Sequence, residues 1–488
     1  MSSLSPETAL FTQRVRALME SPPPQLSQDL SCRDVVRILR DSNAKLAVVV
    51  DSRRAVVGLV TDHDIAHKVA YRVPPPTRIR EIMHRPATTV HPDDYLFQAV
   101  ALMRGAQYEH APVVGGAGVC GVLHLSDALA AATPRAMDMV RQFSAFSEAG
   151  ELKSMKRLQV DIVAGLLGDE VPVSDILAVV TEINREIHRA ILRRAIRDLE
   201  TEGWGTVPVE FEALVLGSGG RGESLLYPDQ DNGFIWSDHA DARRYAIDSY
   251  FCELAVRMTG ELVRAGFPLC RGHVIASNPL WRKSLSEWRA QLRYWMGKPN
   301  PHILRLCDIF FDFYPVYGGD SLSGVLREMI AREVPHHHHF LLAMHRVQSE
   351  HGLAVGPFGR LTTDSGDRHR GDLNLKYHAL IPLVETVRLL ALRSGVTETS
   401  TLSRIDRLQR KGILDADESD YLGAAFQHLS GLLLRQQVDD FGRRPSDGHV
   451  PLDSLSRRDR DLTVDYLRAV NRVRSRVRSL FVAELAPG

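Results

Sequence analysis

The chain has 488 residues, more than one ordinary domain of roughly 100–200 residues accommodates, and its 44% hydrophobic and 25% charged content is that of a globular protein with several cores. Sixty basic and sixty acidic residues cancel, which argues against nucleic acid or an anionic membrane surface as partner. Five scattered cysteines without CxxC spacing exclude a disulfide framework, and an N-terminus without a signal-peptide pattern and the lack of any apolar run near the ~20 residues of a membrane span set the expectation of a cytoplasmic protein with no membrane contact.

The first elements form an internal repeat. Leu18-Met19-Glu20-Ser21-Pro22 recurs as Ile82-Met83-His84-Arg85-Pro86. Each copy continues into a helical stretch, Val35 to Leu39 and Leu96 to Met103, then an apolar strand, Ala47 to Val50 and Ala111 to Val114. A second strand then runs into an aspartate, Gly58 to Asp64 and Gly121 to Asp127. The offset is 64 at the methionines and 63 at the glycines, so the turn between the strands has lost one residue. Loops tolerate such a loss best.

A helix capped by Ser174 is predicted next, with Ile176, Val180, Ile183, Ile187 and Ile191 at spacings of three and four. Gly203 to Pro208 ends it. An α/β segment follows: a buried strand from Phe211 to Leu216, a glycine-rich turn and a strand from Asn232 to Trp236. A helix then carries Ile247, Phe251, Leu254, Met258 and Leu262 on one face. Further strands are expected at His273 to Ala276 and Ile309 to Phe313. From about Phe340 the pattern is helical throughout, including Leu380 to Leu392 and a last helix with Leu467, Val470, Val473, Val477 and Leu480 inward.

The run that carries chemistry is Leu216-Gly217-Ser218-Gly219-Gly220-Arg221-Gly222-Glu223, followed by Tyr227-Pro228-Asp229-Gln230-Asp231-Asn232. A strand ending in Gly217-Ser218 lets the backbone turn closely around an anion, and backbone N–H groups with the Ser218 hydroxyl can hold terminal phosphates. Asp229 and Asp231, two apart, point to one face of an extended chain. Two such carboxylates repel unless a hard divalent cation joins them, and magnesium prefers a few carboxylates plus substrate phosphates. The run is not a P-loop. It contains GxGxxG, but the paired aspartates and second strand arrive too early for the helix that a dinucleotide fold needs. By spacing, Arg221 and Glu223 form a pair around the loop.

These residues resemble the nucleotidyltransferase superfamily that includes DNA polymerase β and the PII-protein uridylyltransferases, whose pattern is Gly-Ser, a short helix, then Asp-x-Asp. The fuller GSGGRGESLLYPDQDN is similar to the nucleotidyltransferase domain that travels with CBS pairs in bacterial signalling proteins. The resemblance extends from about Leu158 to the C-terminus, and the N-terminal repeat resembles a CBS pair. It implies an α+β multidomain chain: tandem CBS repeats within 1–135 (about 18–70 and 82–132), a helical connector at 136–206, a polymerase-β-like nucleotidyltransferase core at 207–335 and an all-α domain at 336–488. It also implies a third carboxylate on a later strand, placed at Asp312 with Asp308 as runner-up. Two residues beyond, where the family leads one to expect arginine, stands Tyr314. Lys376, in Gly371-Asp372-Leu373-Asn374-Leu375-Lys376, matches an element that presents a lysine to the triphosphate, with Asn374 where an acid is expected.

The activity implied is transfer of a nucleoside monophosphate from ATP or UTP to an acceptor hydroxyl, the acceptor being a regulatory protein. Two magnesium ions at Asp229, Asp231 and Asp312 would serve it, with Gly217, Ser218, Arg221 and Lys376 on the triphosphate. The CBS resemblance implies adenine-nucleotide binding by Thr61, Asp64 and Asp127, at one competent site because His124 replaces a hydroxyl residue in the second repeat, and homodimerisation through the pair. The alternatives are a nucleotide-sensing scaffold without turnover, to which Tyr314 and Asn374 point, and a CBS pair that only dimerises. The histidine run His336 to His339 and the tryptophans Trp281, Trp288 and Trp295 are read as surface and core residues, and the arginine-rich stretch from Arg457 to Arg478 as a solvated helix face.

Overall fold

The computed structural model describes residues 6–66, 74, 76–85, 89–106, 108–130, 152–356, 359–366, 369–443 and 447–483. Contacts divide the chain into two compact units, Met1–Glu151 and Leu152–Gly488. Pro86 and positions 136–151 of the expected connector lie outside the described residues.

The first unit repeats itself in detail. Strands β1 (Gln25–Ser27), β2 (Leu46–Val50) and β3 (Val56–Thr61) form one sheet, β1 parallel and β3 antiparallel to β2. Strands β4 (His110–Gly115) and β5 (Gly118–His124) form an antiparallel pair. Leu26 pairs with Val49 in parallel, and Val90 bridges Val113 in the same way. Both hairpins carry a register shift at equivalent sites, Val49/Val50 and Val113/Val114. A helix follows the first strand of each copy, Cys32–Asp41 and Leu96–Gly105. The first is capped by Ser31, whose hydroxyl accepts from Asp34 N–H at 3.2 Å. The repeat glycines have a steric cause. A Cβ on Gly58 would stand 2.9 Å from the His84 carbonyl oxygen, and one on Gly121 would stand 2.6 Å from that of Glu20. Each glycine thus admits the Met-Glu or Met-His segment that crosses its strand.

The second unit is built on a four-stranded sheet, β6 (Phe211–Val215), β7 (Asn232–Trp236), β8 (Arg282–Ser284) and β9 (Tyr314–Tyr317), in the order β8-β7-β6-β9. Strand β6 is antiparallel to β7 and β9, and β7 is parallel to β8. Every residue of β6 and β7 is buried, so both faces are covered. Trp236 stacks on Phe251 of the helix Arg244–Arg264 with centroids 4.7 Å apart, and Trp288 stacks on Phe310 at 4.5 Å. Glu212 is buried in β6 because its carboxylate accepts the N–H groups of Leu322 (2.6 Å) and Ser323 (3.0 Å), at the start of the helix Ser321–Glu333. The helix Val173–Thr201 buries Ile176, Val180, Ile183, Ile187 and Ile191 as expected.

Four local expectations are corrected. Ser174 does not cap that helix; Pro172 precedes it, and Ser174 exchanges hydrogen bonds with Gln427. Residues 273–276 form no strand but run irregularly into a bend and a turn. Ile309 and Phe310 end the helix Pro301–Phe310, which Asn300 caps and which turns Leu304, Cys307 and Phe310 inward at threefold spacing. The C-terminal part is helical except for a two-stranded ribbon, β10 (Asp372–Asn374) against β11 (His449–Pro451). The molecule is thus α+β, with the paired repeat N-terminal, a mixed four-stranded sheet covered on both faces next and a helical C-terminal region last. Among the described residues no helix is long and apolar enough to cross a membrane.

Candidate functional site

The chain leaves β6 at Val215 and enters a short helix, Gly217–Arg221. Gly217 has φ +57°, and a Cβ there would stand 3.1 Å from Asp231 Oδ2. A side chain would be strained and would crowd the carboxylate. A Cβ on Gly220 would run into the Asp312 carbonyl oxygen, so this glycine lets the turn lie directly on that backbone. Gln230, buried between the two aspartates, donates its side-chain amide to the Phe267 carbonyl (2.9 Å) and its backbone N–H to the Pro268 carbonyl (2.9 Å). Alternation along the extended chain sends Asp229 and Asp231 to the other side. There they line a narrow cleft with Ser218, Gly219, Asn184 and Arg185.

Asp231 is the carboxylate of the cleft whose ionisation the fold opposes. Burial pushes its pKa up to about 6, and Asp229 adds to the rise; the neighbouring Cys270 thiol, Lys376 and Arg221 oppose it. Cys270 in turn is pushed up to about 12 by burial and by the Asp231 charge. Asp231 Oδ1 is buried and has no hydrogen-bond partner. An orphaned carboxylate oxygen beside a second, exposed carboxylate is a donor set that fits a hard divalent cation.

Asp312 lies elsewhere in chemical terms, and its expected role as a metal ligand is corrected. It is fully buried, and three arginines close on it: Arg388 (2.6 Å), Arg404 (2.7 Å) and Arg221 (2.8 Å). Burial alone would raise its pKa, but Arg404, Arg388 and Arg221 outweigh that and hold it far below the usual carboxylate range. The runner-up, Asp308, is engaged by Arg388 and by the Gln348 amide (2.8 Å). Neither later strand of the sheet, Arg282–Ser284 or Tyr314–Tyr317, carries a carboxylate. The expected triphosphate role of Arg221 is corrected with it. Its guanidinium is bound by Glu223 (2.7 Å) and Asp312. Glu223 also accepts from the Thr401 N–H and, at 3.0 Å, from the Thr401 hydroxyl. Arginine and glutamate of the motif therefore fasten the loop to the C-terminal helices Ile381–Arg393 and Thr401–Arg410.

Lys376 is brought near: its charge acts on Asp231 across the sequence gap. It opens a π-helical turn, Lys376–Leu380, of a kind common at functional sites. Asn374, in place of an acid, accepts the Tyr377 N–H at 3.1 Å. Arg185 was not singled out from the sequence. It comes from the long helix Val173–Thr201, donates to the Gly219 carbonyl at 2.9 Å and lies 3.5 Å from the centroid of the Tyr314 ring. Its buried Nε has no hydrogen-bond partner. Nothing in the periodicity marks it, because the helix shows its role only once folded over the loop.

In the first unit Thr61 and Asp64 come together in a capping box. Asp64 Oδ2 accepts from the Thr61 N–H (3.0 Å) and hydroxyl (2.8 Å), and Oδ1 pairs with His84 Nε2 at 2.7 Å. Asp127 is exposed and touches Ser126 instead, while His124 is bound by His110 (2.8 Å) and Glu20 (3.2 Å).

Comparison with known proteins agrees with this division. The family described as "Putative nucleotidyltransferase DUF294" matches residues 157–302, and its "Putative nucleotidyltransferase substrate binding domain" matches 338–481. CBS domains match at 15–71 and 79–133. No curated protein matches the chain. Among solved structures, a CBS domain protein from Pyrobaculum aerophilum complexed with AMP is 26% identical over 27% of this chain and 99% of its own, with TM-score 0.23. An uncharacterized conserved protein from Pyrococcus horikoshii is 21% identical over 25% of this chain and 92% of its own, with TM-score 0.23.

Proposed function

Because the chain belongs to the DUF294 nucleotidyltransferase family and joins that domain to a CBS pair, we propose that it transfers a nucleoside monophosphate from ATP or UTP to an acceptor hydroxyl, under control of adenine nucleotide at the pair. The observation that carries the reading is the buried, partnerless Asp231 Oδ1 at the cleft, with Asp229 beside it. Asp229 and Asp231 would hold magnesium, which supplies charge neutralisation for the phosphates. Gly217 and Ser218 bind the terminal phosphates. Lys376 and Arg185 add positive charge from the C-terminal helices and the long helix. The acceptor hydroxyl attacks the α-phosphate, and pyrophosphate leaves. The acceptor is a regulatory protein in the cytoplasm, and the chain pairs through its CBS repeats; Thr61 and Asp64 take the regulatory nucleotide. In the test, full-length protein with labelled nucleoside triphosphate and magnesium releases pyrophosphate when given fractionated lysate. Asp229→Ala abolishes the release. No release with any fraction, or an unchanged rate in the variant, overturns the reading.

A second reading is favoured by one observation. With Asp312 held by arginines and no carboxylate on β8 or β9, the site offers two carboxylates rather than three. That suits a domain that binds a triphosphate without turning it over. Calorimetry separates the two: the scaffold binds nucleotide and magnesium with no product, and any turnover lost in Asp231→Ala excludes it.

A further inference from the structure

A second group of ligating side chains lies outside the cleft, at the β10/β11 ribbon. His369 and His449 stack with centroids 3.8 Å apart and planes 9° from parallel. Both face one carboxylate. His369 Nε2 stands 3.0 Å from Asp447 Oδ2, and His449 Nδ1 stands 2.8 Å from Asp447 Oδ1. The outer nitrogens are held as well: His449 Nε2 by Asp364 at 2.9 Å, and His369 Nδ1 by Asp372 at 3.4 Å. One ligand atom from each of His369, Asp447 and His449 lies within 4.8 Å of the others.

We propose that His369, Asp447 and His449 form a binding site for a first-row divalent metal ion of the zinc class, which clasps the segment before β10 to the start of β11. Two imidazole nitrogens and one carboxylate oxygen suit zinc, whereas magnesium and calcium prefer oxygen alone. An outer carboxylate on the far nitrogen of each histidine is the arrangement that fixes tautomer and ring setting in metal-bound histidines. Three carboxylates, Asp364, Asp372 and Asp447, also gather around the two rings, a concentration of negative charge that a divalent cation offsets. The inner carboxylate is partly open, with Asp447 35% exposed, so an ion can enter and keep a water ligand. An imidazole lone pair lies in its ring plane, so ligation tilts the two stacked rings toward each other. The consequence reaches beyond the site. Lys376 N–H donates to the Gly448 carbonyl at 3.2 Å, so the clasp steadies the backbone that carries this lysine. The metal site itself stands independently of the transferase reading.

The test is calorimetry of full-length, chelator-stripped protein with zinc alone as ligand, in excess magnesium to keep zinc from Asp229 and Asp231. The expected result is one equivalent bound, retained when His336, His337, His338 and His339 are all replaced by alanine. Affinity falls about tenfold or more in His449→Ala and in Asp447→Asn, and Asp364→Asn, which leaves the three ligands in place, weakens it by roughly 10–100-fold. Cobalt substituted for zinc gives a visible absorption band that Asp447→Asn removes. Should His449→Ala fail to fold by circular dichroism, the two aspartate variants decide. No stoichiometric zinc in the wild type, zinc lost with the 336–339 run, or unchanged affinity in Asp447→Asn overturns the proposal.

Discussion

Asp231 is a carboxylate whose ionisation the folded protein opposes. Its pKa is raised to about 6 from an ordinary 3.8 by burial first and Asp229 next. The folded state therefore holds a proton that the unfolded chain has released, and stability falls as pH rises through that window. In chelator, Asp231→Asn should remove the fall. Its stability relative to wild type, read from urea midpoints, should be higher by about 1–2 kcal/mol at neutral pH than at acid pH, after discounting for the solvent-facing edge. Magnesium should close that gap, and a gap indifferent to both pH and magnesium would sink the account. Arg185 belongs to the same scale. Its guanidinium packs on Tyr314. Charge-assisted hydrogen bonds contribute about 1.5–3 kcal/mol, so Arg185→Ala should weaken triphosphate binding roughly 10- to 100-fold in calorimetry. Arg185→Lys should recover part of the loss.

Among elements, the short helix Gly217–Arg221 shows what a motif says before folding and what it withholds. Its glycine-serine start and the paired aspartates were legible because backbone shape and carboxylate spacing are local properties. The place of Asp312 was not. Ile309 to Phe313 reads as an apolar strand, but Asn300 and Pro301 open a helix whose end delivers Asp312 to arginines 76 and 92 residues further on. Pairing of that range leaves no trace in local pattern. The β10/β11 ribbon escaped for the same reason, since two three-residue strands far apart in the chain have no period to detect. The cage makes a prediction opposite to that for a metal ligand. Asp312→Ala removes the carboxylate that three buried guanidiniums share, and although Arg221 keeps Glu223 and Arg388 keeps Asp308, Arg404 loses its ion pair, which should cost about 3–5 kcal/mol in denaturant unfolding. Asp312→Asn should also destabilise, while magnesium affinity at Asp229 and Asp231 stays near wild type in whatever fraction is folded. A variant of normal stability that loses magnesium would restore Asp312 to the metal site.

At the scale of the whole molecule the repeat was readable because duplication writes the same fold twice, down to glycines that admit the same crossing segment at Gly58 and Gly121. The helices after Glu151 were less transparent: they read as a connector, yet the helix Val173–Thr201 packs within the second unit and lends Asn184 and Arg185 to the cleft. The catalytic reading therefore needs everything from Leu152 onward and nothing before it. Every residue of the cleft, the arginine cage and Lys376 lies in the second unit, and so do the aromatic pairs that bury its sheet. A chain beginning at Leu152 should then unfold as one cooperative species and bind nucleoside triphosphate within about threefold of the full chain, a difference under 1 kcal/mol. It should bind no AMP at the regulatory site, because Thr61, Asp64 and His84 are gone. Calorimetry on both forms reads the two affinities separately. Triphosphate binding lost with the first unit would mean that the cleft is incomplete without it, and AMP binding retained would move the regulatory site out of the repeats.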